Sequence, residues 1–208
     1  AESRNHAIFE LCPEVGTVYR YDRPAEFLAC IRQSYDVVID TEQWHRFSAL
    51  VARLMRTGLR IGFSTNERAR LFHRPVPYAQ EDYESENFLR LFDVLEQRAE
   101  APPMPCLVVP EGARQRIEGL LPADVPAVFV VIFPGASIPE RRWGAARFAR
   151  LTVLLGARGV PVVIVGGPED REEGARIVAE GWGLNLAGKT SLVETAAVIE
   201  RSALLVSG

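Results

Sequence analysis

The sequence predicts an α/β protein with parallel sheets, divided into two domains. Two features of its 208 residues indicate this. Short apolar runs rich in valine and isoleucine alternate with segments of helical periodicity, which is typical of βαβ units and therefore of parallel strands. A proline-rich segment near the middle of the chain separates two series of such units, as linkers between domains often do.

The second half has the clearer pattern. Apolar runs predict strands over 127–133, 160–165 and 203–206, and periodic segments predict helices over 111–121, 143–157, 169–181 and 191–201. The strands are apolar throughout, which suits a sheet that is covered on both faces. Ser191 is expected to cap the last helix, and Glu194 is expected to complete a capping box with it.

The first half is less regular. Strands are predicted over 36–40 and 59–63, and helices over 24–33, 47–56 and 84–98. Gly58 is expected to end the second of these helices. Because prolines cluster at 101–105, we place the domain boundary there. The predicted domains are an N-terminal one over 1–104 and a C-terminal one over 105–208.

Composition argues against several classes of function. The net charge of −3 gives no general attraction to nucleic acid, and no apolar run approaches the roughly 18 residues that cross a bilayer. The three cysteines lack the spacing of a zinc site or a disulfide framework, so no bound metal is expected. Lys189 is the single lysine among 24 basic residues, so an arginine can stand where other proteins carry a lysine.

In open parallel sheets, ligands bind beyond the carboxyl ends of the strands. The first strand-to-helix loop of the second half contains Gly135 and Ala136, whose small size lets backbone amides approach a ligand. The same loop offers a hydroxyl on Ser137 and a guanidinium on Arg141 or Arg142. Both kinds of group are suited to binding a phosphate.

Two further loops complete the predicted site. The turn 166–169 places the carboxylate of Glu169 at a helix start, where it is able to hold a ribose diol, and the loop 186–191 carries Lys189 and Thr190. Together the three loops predict a site for a nucleoside diphosphate. Each feature taken singly also fits a structural role, since an acid suits the first turn of any helix. The sequence contains no Gly-x-Gly-x-x-Gly fingerprint and no complete P-loop.

These loops resemble those of a known family. The segment Pro134-Gly135-Ala136-Ser137, followed by Arg141-Arg142-Trp143, is similar to the Pro-Gly-Ala-Ser…Lys-x-Trp segment of glycosyltransferase family 9, the ADP-heptose:lipopolysaccharide heptosyltransferases. The similarity continues through the Gly-Gly-Pro-Glu turn and, in the family's order, through 35–40, 48–50, 60–63, 86–89 and 186–192.

The resemblance implies a GT-B architecture, in which two Rossmann-like domains face each other across a cleft. The N-terminal domain would hold the acceptor and the C-terminal domain the nucleotide sugar. By the resemblance, Ser137 and Arg141 would contact the diphosphate of the donor, and Glu169 would hold its ribose. Lys189 and Thr190 would lie near the base, and Gly135 and Ala136 belong to the same donor-binding loop as Ser137. Arg141 stands where the family usually has a lysine, so a planar fork replaces a point charge.

The implied activity is the transfer of a heptose, or a related sugar, from ADP-heptose to a lipopolysaccharide core acceptor. The resemblance implies inversion at the sugar, with no cofactor and no metal. The family's general base is expected in an opening strand and Gly-Asp turn, which have no counterpart here. Its Asp-[Ser/Thr]-Gly-x-x-His loop, which would follow 204–206, is also missing. We therefore expect a chain trimmed at both ends, with the catalytic base outside it.

Candidates for the acceptor side follow the strand 36–40 and are Asp40, Glu42 and Arg46. Between positions 46 and 74 there are seven arginines and one acid, which indicates either a solvated surface or a docking surface for an anionic glycolipid. We expect a cytoplasmic protein, peripheral at the inner membrane and without a transmembrane segment. A non-catalytic two-domain α/β protein that binds a small ligand is the alternative, and selective binding of ADP would distinguish the two.

Overall fold

The computed structural model describes residues 1–95, 106–122 and 128–208. The chain divides into two compact units. The first unit comprises Ala1–Ser3 and Thr17–Cys106, and the second comprises Arg4–Gly16 and Leu107–Gly208. The proline cluster at 101–105, where we placed the boundary, lies outside the described residues.

The segment Arg4–Gly16 packs with the second unit, although the sequence prediction grouped it with the first half. Its 3-10 turn, His6–Leu11, ends in Leu11, which is buried in the core of the second unit. The carbonyl oxygen of Leu11 accepts a hydrogen bond from the N–H of Val108 at 2.8 Å. A turn this short has no periodicity to read, so the sequence carries no signal for the packing.

The first unit contains one parallel sheet and its helices. In chain order its elements are α1 (Pro24–Arg32), β1 (Ser34–Asp40), α2 (Arg46–Leu54), β2 (Arg56–Phe63), β3 (Arg74–Val76) and α3 (Glu84–Asp93). The strands pair in the order β1-β2-β3, and Asp40 at the end of β1 lies beside Gly62. The parallel pairing that the sequence predicted is confirmed for this unit.

Three details of the first unit differ from the prediction. Gly58 lies inside β2 and does not end α2, because the chain already becomes extended at Met55. The strand β3 was not predicted, since its central residue is Pro75; an edge strand tolerates a proline because one of its sides is unpaired. The predicted helix 84–98 is observed to Asp93, and 96–98 lie outside the described residues.

The second unit contains the other parallel sheet. Its elements are α4 (Glu111–Glu118), β4 (Val130–Phe133), α5 (Ala145–Gly156), β5 (Val162–Ile164), α6 (Arg171–Glu180), β6 (Leu184–Asn185), α7 (Leu192–Arg201) and β7 (Leu204–Ser207). The strands pair in the order β6-β5-β4-β7, all parallel.

Both faces of the central strands of this sheet are covered. Val131 and Val163 belong to one core cluster, and Val130 and Ile132 belong to another. Successive residues of a strand point to opposite faces, so two clusters on one strand mean that both faces are buried. The prediction of doubly buried strands is therefore confirmed for β4 and β5, but it is wrong for the edge strand β7, where Leu204 is 57% exposed and Leu205 is 42% exposed.

Of two helix starts predicted in this unit, one agrees with the structure and one is displaced. The predicted capping box is confirmed, because the N–H of Glu194 bonds Oγ of Ser191 at 3.2 Å and the N–H of Ser191 bonds Oε2 of Glu194 at 2.7 Å. The helix predicted from 169 begins instead at Arg171, after a 3-10 turn over Pro168–Asp170.

Across the described residues, every helix is too short or too polar to span a lipid bilayer.

Candidate functional site

The three predicted loops of the second unit meet at one edge of its sheet. They follow β4, β5 and β6, which are neighbours in the sheet and run parallel. Parallel neighbours end at the same edge, so the loops that follow them lie side by side.

Asp170 joins the first loop to the second. It is 3% exposed, and its Oδ2 accepts a hydrogen bond from the N–H of Gly167 at 2.9 Å. A Cβ placed on Gly135 would lie 2.8 Å from Cγ of Asp170, and one placed on Gly166 would lie 2.6 Å from Oδ2. Neither position has room for a side chain, so the glycines of both loops are required by this buried carboxylate. Asp170 was not among the site residues predicted from the sequence.

Gly188 joins the third loop to the second. Its N–H donates to the carbonyl of Gly166 at 2.9 Å, and its own carbonyl accepts from Nη2 of Arg171 at 3.0 Å. Gly188 has a φ of +68°, in the left-handed region that glycine adopts without strain. Hydrogen bonds therefore link the second and third loops, and the packing of Asp170 against Gly135 places the first loop beside them.

Some of the residues predicted to bind the donor nucleotide form hydrogen bonds within the protein, and others do not. The ammonium of Lys189 bonds the carbonyl of Asn185 at 2.9 Å, and Oγ1 of Thr190 lies 2.8 Å from Oγ1 of Thr195. Those two side chains hold the third loop in place.

Three other predicted residues remain exposed at this edge: Ser137, Arg141 and Glu169. Their side chains make no hydrogen bond or ion pair with any residue that the structure describes. Gly135 is buried and Ala136 is half-buried, so in the first loop these small residues contribute backbone groups. Among the predicted donor-binding residues, an exposed hydroxyl, guanidinium and carboxylate are thus left without internal partners within the described part of the chain.

Arg142 has a different position from its neighbour Arg141. Its Nε donates to the carbonyl of Ala136 at 3.0 Å, and its Nη1 lies 3.9 Å from Oε2 of Glu173 on α6. The sequence left open which of the two arginines serves a phosphate. The structure gives internal partners to Arg142 and leaves the guanidinium of Arg141 exposed.

A cavity of about 730 Å³ lies along the first turns of α5 and α6. Its lining includes Glu169 and Arg142 but neither Ser137 nor Arg141. The cavity and the exposed loop groups thus share only one predicted donor residue, Glu169. We base the candidate site on the loops, because they hold the exposed groups suited to a phosphate. Within the described residues no cluster of three or more histidine, cysteine or acidic side chains is arranged to hold a metal.

On the predicted acceptor side, Asp40 is held by internal contacts. It is 8% exposed, and its Oδ2 lies 2.6 Å from Nη2 of Arg68, whose side chain is fully buried. Oγ of Ser48 donates to the same oxygen at 2.9 Å, and the N–H of Glu42 donates to Oδ1 at 3.0 Å. The carboxylate of Asp40 therefore holds the loop after β1 to the segment that carries Arg68.

Glu42 and Arg46 are the more accessible acceptor candidates. Burial raises the pKa of the Glu42 carboxyl, but the N–H groups of Trp44 and His45 and the charge of His45 outweigh it and lower the pKa. Arg46 pairs with Glu67 at 3.1 Å on the surface. Asp40 and Glu42 also line an apolar cavity of about 570 Å³ between α1, β1 and α2.

The arginine-rich segment 46–74 is less exposed than its composition indicates. Arg60 and Arg68 are buried, and Arg60 contacts His73 through Nη2 at 2.6 Å. The members that remain on the surface are Arg46, Arg53, Arg56, Arg70 and Arg74. The composition of the segment predicted one surface of seven arginines, but Arg60 and Arg68 have structural roles in the interior.

Comparison with known proteins gives one family. The model of glycosyltransferase family 9 (heptosyltransferase) matches residues 27–208. No curated relative matches the sequence closely enough to support an inference.

Three solved structures share the fold. A family 9 glycosyl transferase from Veillonella parvula superposes with a TM-score of 0.77 at 18% identity, over 99% of this chain and 64% of that one. The Escherichia coli heptosyltransferase WaaC, solved with ADP-2-deoxy-2-fluoro heptose, superposes with a TM-score of 0.76 at 19% identity. The match covers 99% of this chain and 70% of WaaC. The E. coli ADP-heptose lps heptosyltransferase II superposes with a TM-score of 0.77 at 23% identity, and the match covers 100% of this chain and 68% of that one. This chain thus spans about two thirds of the length of each.

Proposed function

The chain belongs to glycosyltransferase family 9, and from that premise we propose that it transfers a heptose, or a related sugar, from an ADP-sugar to a lipopolysaccharide core acceptor. The transfer inverts the configuration at the sugar and uses no cofactor besides the donor. One observation carries the proposal for the donor. Ser137 and Arg141 on the first loop and Glu169 on the second present exposed polar groups at one edge of the sheet, where Asp170 packs against Gly135 and bonds Gly167.

The chemistry assigned to these groups follows from the charge on the leaving group. In the transfer, an acceptor hydroxyl oxygen forms a bond to the anomeric carbon while the bond from that carbon to the diphosphate oxygen breaks. Negative charge then grows on the departing diphosphate, and a positioned cation stabilises it most where water is excluded. Arg141 supplies the cation and Ser137 a hydroxyl donor. The guanidinium is able to bind two phosphate oxygens at once, which a lysine is not.

The proton of the acceptor hydroxyl requires a base, and the acids on the acceptor side are poorly suited to this role. The carboxylate of Asp40 is paired with Arg68, and that of Glu42 accepts hydrogen bonds from the N–H groups of Trp44 and His45. An oxygen that already accepts such bonds is a weak base, and the lowered pKa of the Glu42 carboxyl makes that group weaker still. We assign the base to neither residue.

The choice of ADP and of an anionic acceptor has separate support. The E. coli relative WaaC has been solved with ADP and with an ADP-heptose analogue, which favours an adenosine diphosphate in the family. The exposed arginines of the segment 46–74, among them Arg53 and Arg70, favour an anionic acceptor. A protein that acts on such a glycolipid would work in the cytoplasm at the inner membrane.

Calorimetric titration with ADP, UDP and GDP tests the donor. We expect ADP to bind most tightly and Arg141→Ala to weaken it by at least about tenfold, because a charged hydrogen-bonding partner is lost. The matched control is Arg150→Ala, which removes another exposed arginine of the same unit and should leave the affinity unchanged. A preference for UDP or GDP would reject the ADP-sugar donor. Binding without any preference for a nucleotide would favour the alternative of a small-ligand-binding protein.

A further inference from the structure

The loop 41–45, which follows β1, is held in place by the segment that follows β2. Three consecutive carbonyl groups of the loop each accept a hydrogen bond from a different side chain of the segment 65–68. The three bonds run from Nη1 of Arg68 to Glu42, from Oγ1 of Thr65 to Gln43, and from Nδ2 of Asn66 to Trp44. Because three successive residues are tied in this way, the backbone of the loop is fixed.

The amide groups of the same loop have internal partners as well. The N–H of Glu42 donates to Oδ1 of Asp40 at 3.0 Å, and the N–H groups of Trp44 and His45 donate to Oε1 of Glu42 at 3.0 and 3.2 Å. The loop also contains no glycine. Phosphates bind most readily to backbone N–H groups that are free, so this loop is unsuited to cradle one. A ligand at this loop is recognised by side chains.

The largest side chain of the loop is Trp44, which is 45% exposed. Its ring meets that of Tyr78 edge to face, with the ring centres 5.8 Å apart and the planes at 77°. Tyr78 is held in turn by the buried ring of Phe63 at 5.2 Å and by a hydrogen bond from its hydroxyl to Oε1 of Glu84 at 2.6 Å. The indole N–H has no hydrogen-bond partner among the residues that the structure describes. The indole is therefore held in one orientation while part of its surface stays accessible.

Trp44 lies at the edge of the sheet where a ligand is expected. The strands β1, β2 and β3 are parallel, and ligands of such sheets bind beyond the carboxyl ends of the strands. The side chains of His45 and Arg46, next along the chain, are exposed too. Arg46 pairs with Glu67, but both of these side chains are 68% exposed, and such a surface pair is weak. The loop thus presents a flat apolar ring beside polar groups that a ligand can reach.

This combination of groups matches the chemistry of a sugar. One face of a pyranose ring carries C–H groups with a slight positive charge, and the face of an aromatic ring is slightly negative. The hydroxyl and acidic substituents at the rim of the sugar need polar partners, because a polar group that is desolvated without one costs free energy. A purely apolar ligand would leave the polar groups of the loop unused. Trp44 with its two polar neighbours therefore suits a saccharide better than a free phosphate or an apolar chain.

We infer that Trp44 determines specificity for the acceptor, because its indole packs against the C–H face of a pyranose ring while His45 and Arg46 bond the substituents around that ring. The inference rests on the proposed function, since it takes the acceptor to be a saccharide that the first unit binds. Trp44 was not among the acceptor-side residues predicted from the sequence. Of those residues, Asp40 and Glu42 fix the loop, and Trp44 makes the contact with the sugar.

Calorimetric titration of the full chain with the lipid-free oligosaccharide of a lipopolysaccharide core tests the inference. Trp44→Leu keeps an apolar side chain but removes the flat ring, and we expect it to weaken the binding of the oligosaccharide by about tenfold. Trp44→Phe keeps a ring and should weaken it by only about threefold. In saturation-transfer NMR, the C–H protons of one sugar should receive the strongest signal from the parent chain. That signal should be lost in Trp44→Leu, which a purely structural role of Trp44 would not cause.

The matched control is Phe92→Leu, which removes another exposed aromatic ring of the first unit. Phe92 is 41% exposed and lies near the end of α3. This variant should bind the oligosaccharide as the parent chain does, and circular dichroism checks that all variants are folded. Equal affinity of Trp44→Leu and the parent chain would overturn the inference. So would a parent chain that does not bind the oligosaccharide.

Titration of the same variants with ADP separates this inference from the proposed donor. Trp44→Leu should bind ADP as the parent chain does, because the predicted donor residues belong to the second unit. A parent chain that binds ADP but not the oligosaccharide would reject the role of Trp44 and leave the donor proposal standing. Binding of the oligosaccharide that depends on Trp44, without binding of ADP, would support the role of Trp44 and reject the ADP-sugar donor.

Discussion

The carboxylate of Asp170 occupies the space that a side chain at position 135 would need. A Cβ on Gly135 would lie 2.8 Å from Cγ of Asp170, although the two residues come from loops that follow different strands. The small residue in the first loop is therefore required by an acid in the second. This contact sets the distance between the loop that carries Ser137 and Arg141 and the turn that carries Glu169.

Gly135→Ala tests that relationship. The added methyl group forces the carboxylate aside, and we expect the free energy of unfolding to fall by about 1–3 kcal/mol, as in other overpacked sites. Combining it with Asp170→Ala, which removes the clash, should cost less than the sum of the two single changes. Urea unfolding of the four proteins measures this coupling. Strict additivity would mean that the two residues do not compete for the same space.

Substitutions at Glu169 and Arg141 should affect the binding of different parts of the nucleotide. Glu169→Gln is expected to weaken the binding of ADP by about tenfold and to leave the affinity for inorganic pyrophosphate unchanged. The reason is that the carboxylate would accept hydrogen bonds only from the ribose, which pyrophosphate lacks. Arg141→Ala should weaken both ligands. Glu172→Gln, an exposed acid nearby, is the control. Equal losses of pyrophosphate in both variants would contradict the assignment of Glu169 to the ribose.

The buried pair of Arg68 and Asp40 should dominate the stability of the first unit. Arg68→Met leaves the carboxylate of Asp40, which is 8% exposed, without its cation. We expect a loss of about 3–5 kcal/mol. The double variant Arg68→Met/Asp40→Asn should regain part of it, since no charge is then left unpaired. Fluorescence of Trp44 follows the unfolding of this unit when Trp143 and Trp182 of the second unit are replaced by phenylalanine. If the double variant were as unstable as Arg68→Met alone, the cost would come from packing and not from charge.

The stability of α1 should depend on pH through Glu26. A side-chain hydrogen bond from Arg20, with a further bond from the backbone N–H of Arg20, holds the pKa of Glu26 at about 2, below the ordinary value of 4.5. A pKa lowered in the folded state stabilises the protein above pH 4.5, and this stabilisation is lost as the pH falls through 2.

Glu26→Gln should therefore melt earlier than the parent chain at about pH 6, and the two melting temperatures should converge as the pH approaches 2. Glu81→Gln, another exposed acid of this unit, is the control and should show no such convergence. A constant difference between the parent chain and Glu26→Gln over the whole range would show that the ion pair does not titrate as described.

The capping box of α7 gives a prediction that rests on sequence and structure alike. Ser191→Ala removes the acceptor for the N–H of Glu194, and we expect a loss of about 1 kcal/mol of stability. The exposed Ser207 provides the control Ser207→Ala. Chemical denaturation of the second unit measures both variants. An unchanged midpoint for Ser191→Ala would mean that water replaces the cap at no cost.

The sequence predicted the fold class because that class depends on local patterns. The α/β fold with parallel sheets, of GT-B type, is confirmed by solved structures of the family. Continuous apolar runs indicated strands buried on both faces, and the predicted capping box of α7 is present. Each of these signals lies within one element, where the spacing of side chains follows from backbone geometry. The grouping of Gly135, Ser137, Arg141 and Glu169 at one sheet edge followed from the same pattern.

Contacts between distant residues were decided by the tertiary structure. No local pattern shows that Asp170 requires the glycines of two loops, that Arg68 lies buried against Asp40, or that Arg4–Gly16 packs with the second unit. The sequence by itself determined most of the strands and helices, and it predicted which loops carry groups suited to a phosphate. The packing decided which charges are buried and which stay free, because burial depends on neighbours that are brought together only when the chain folds.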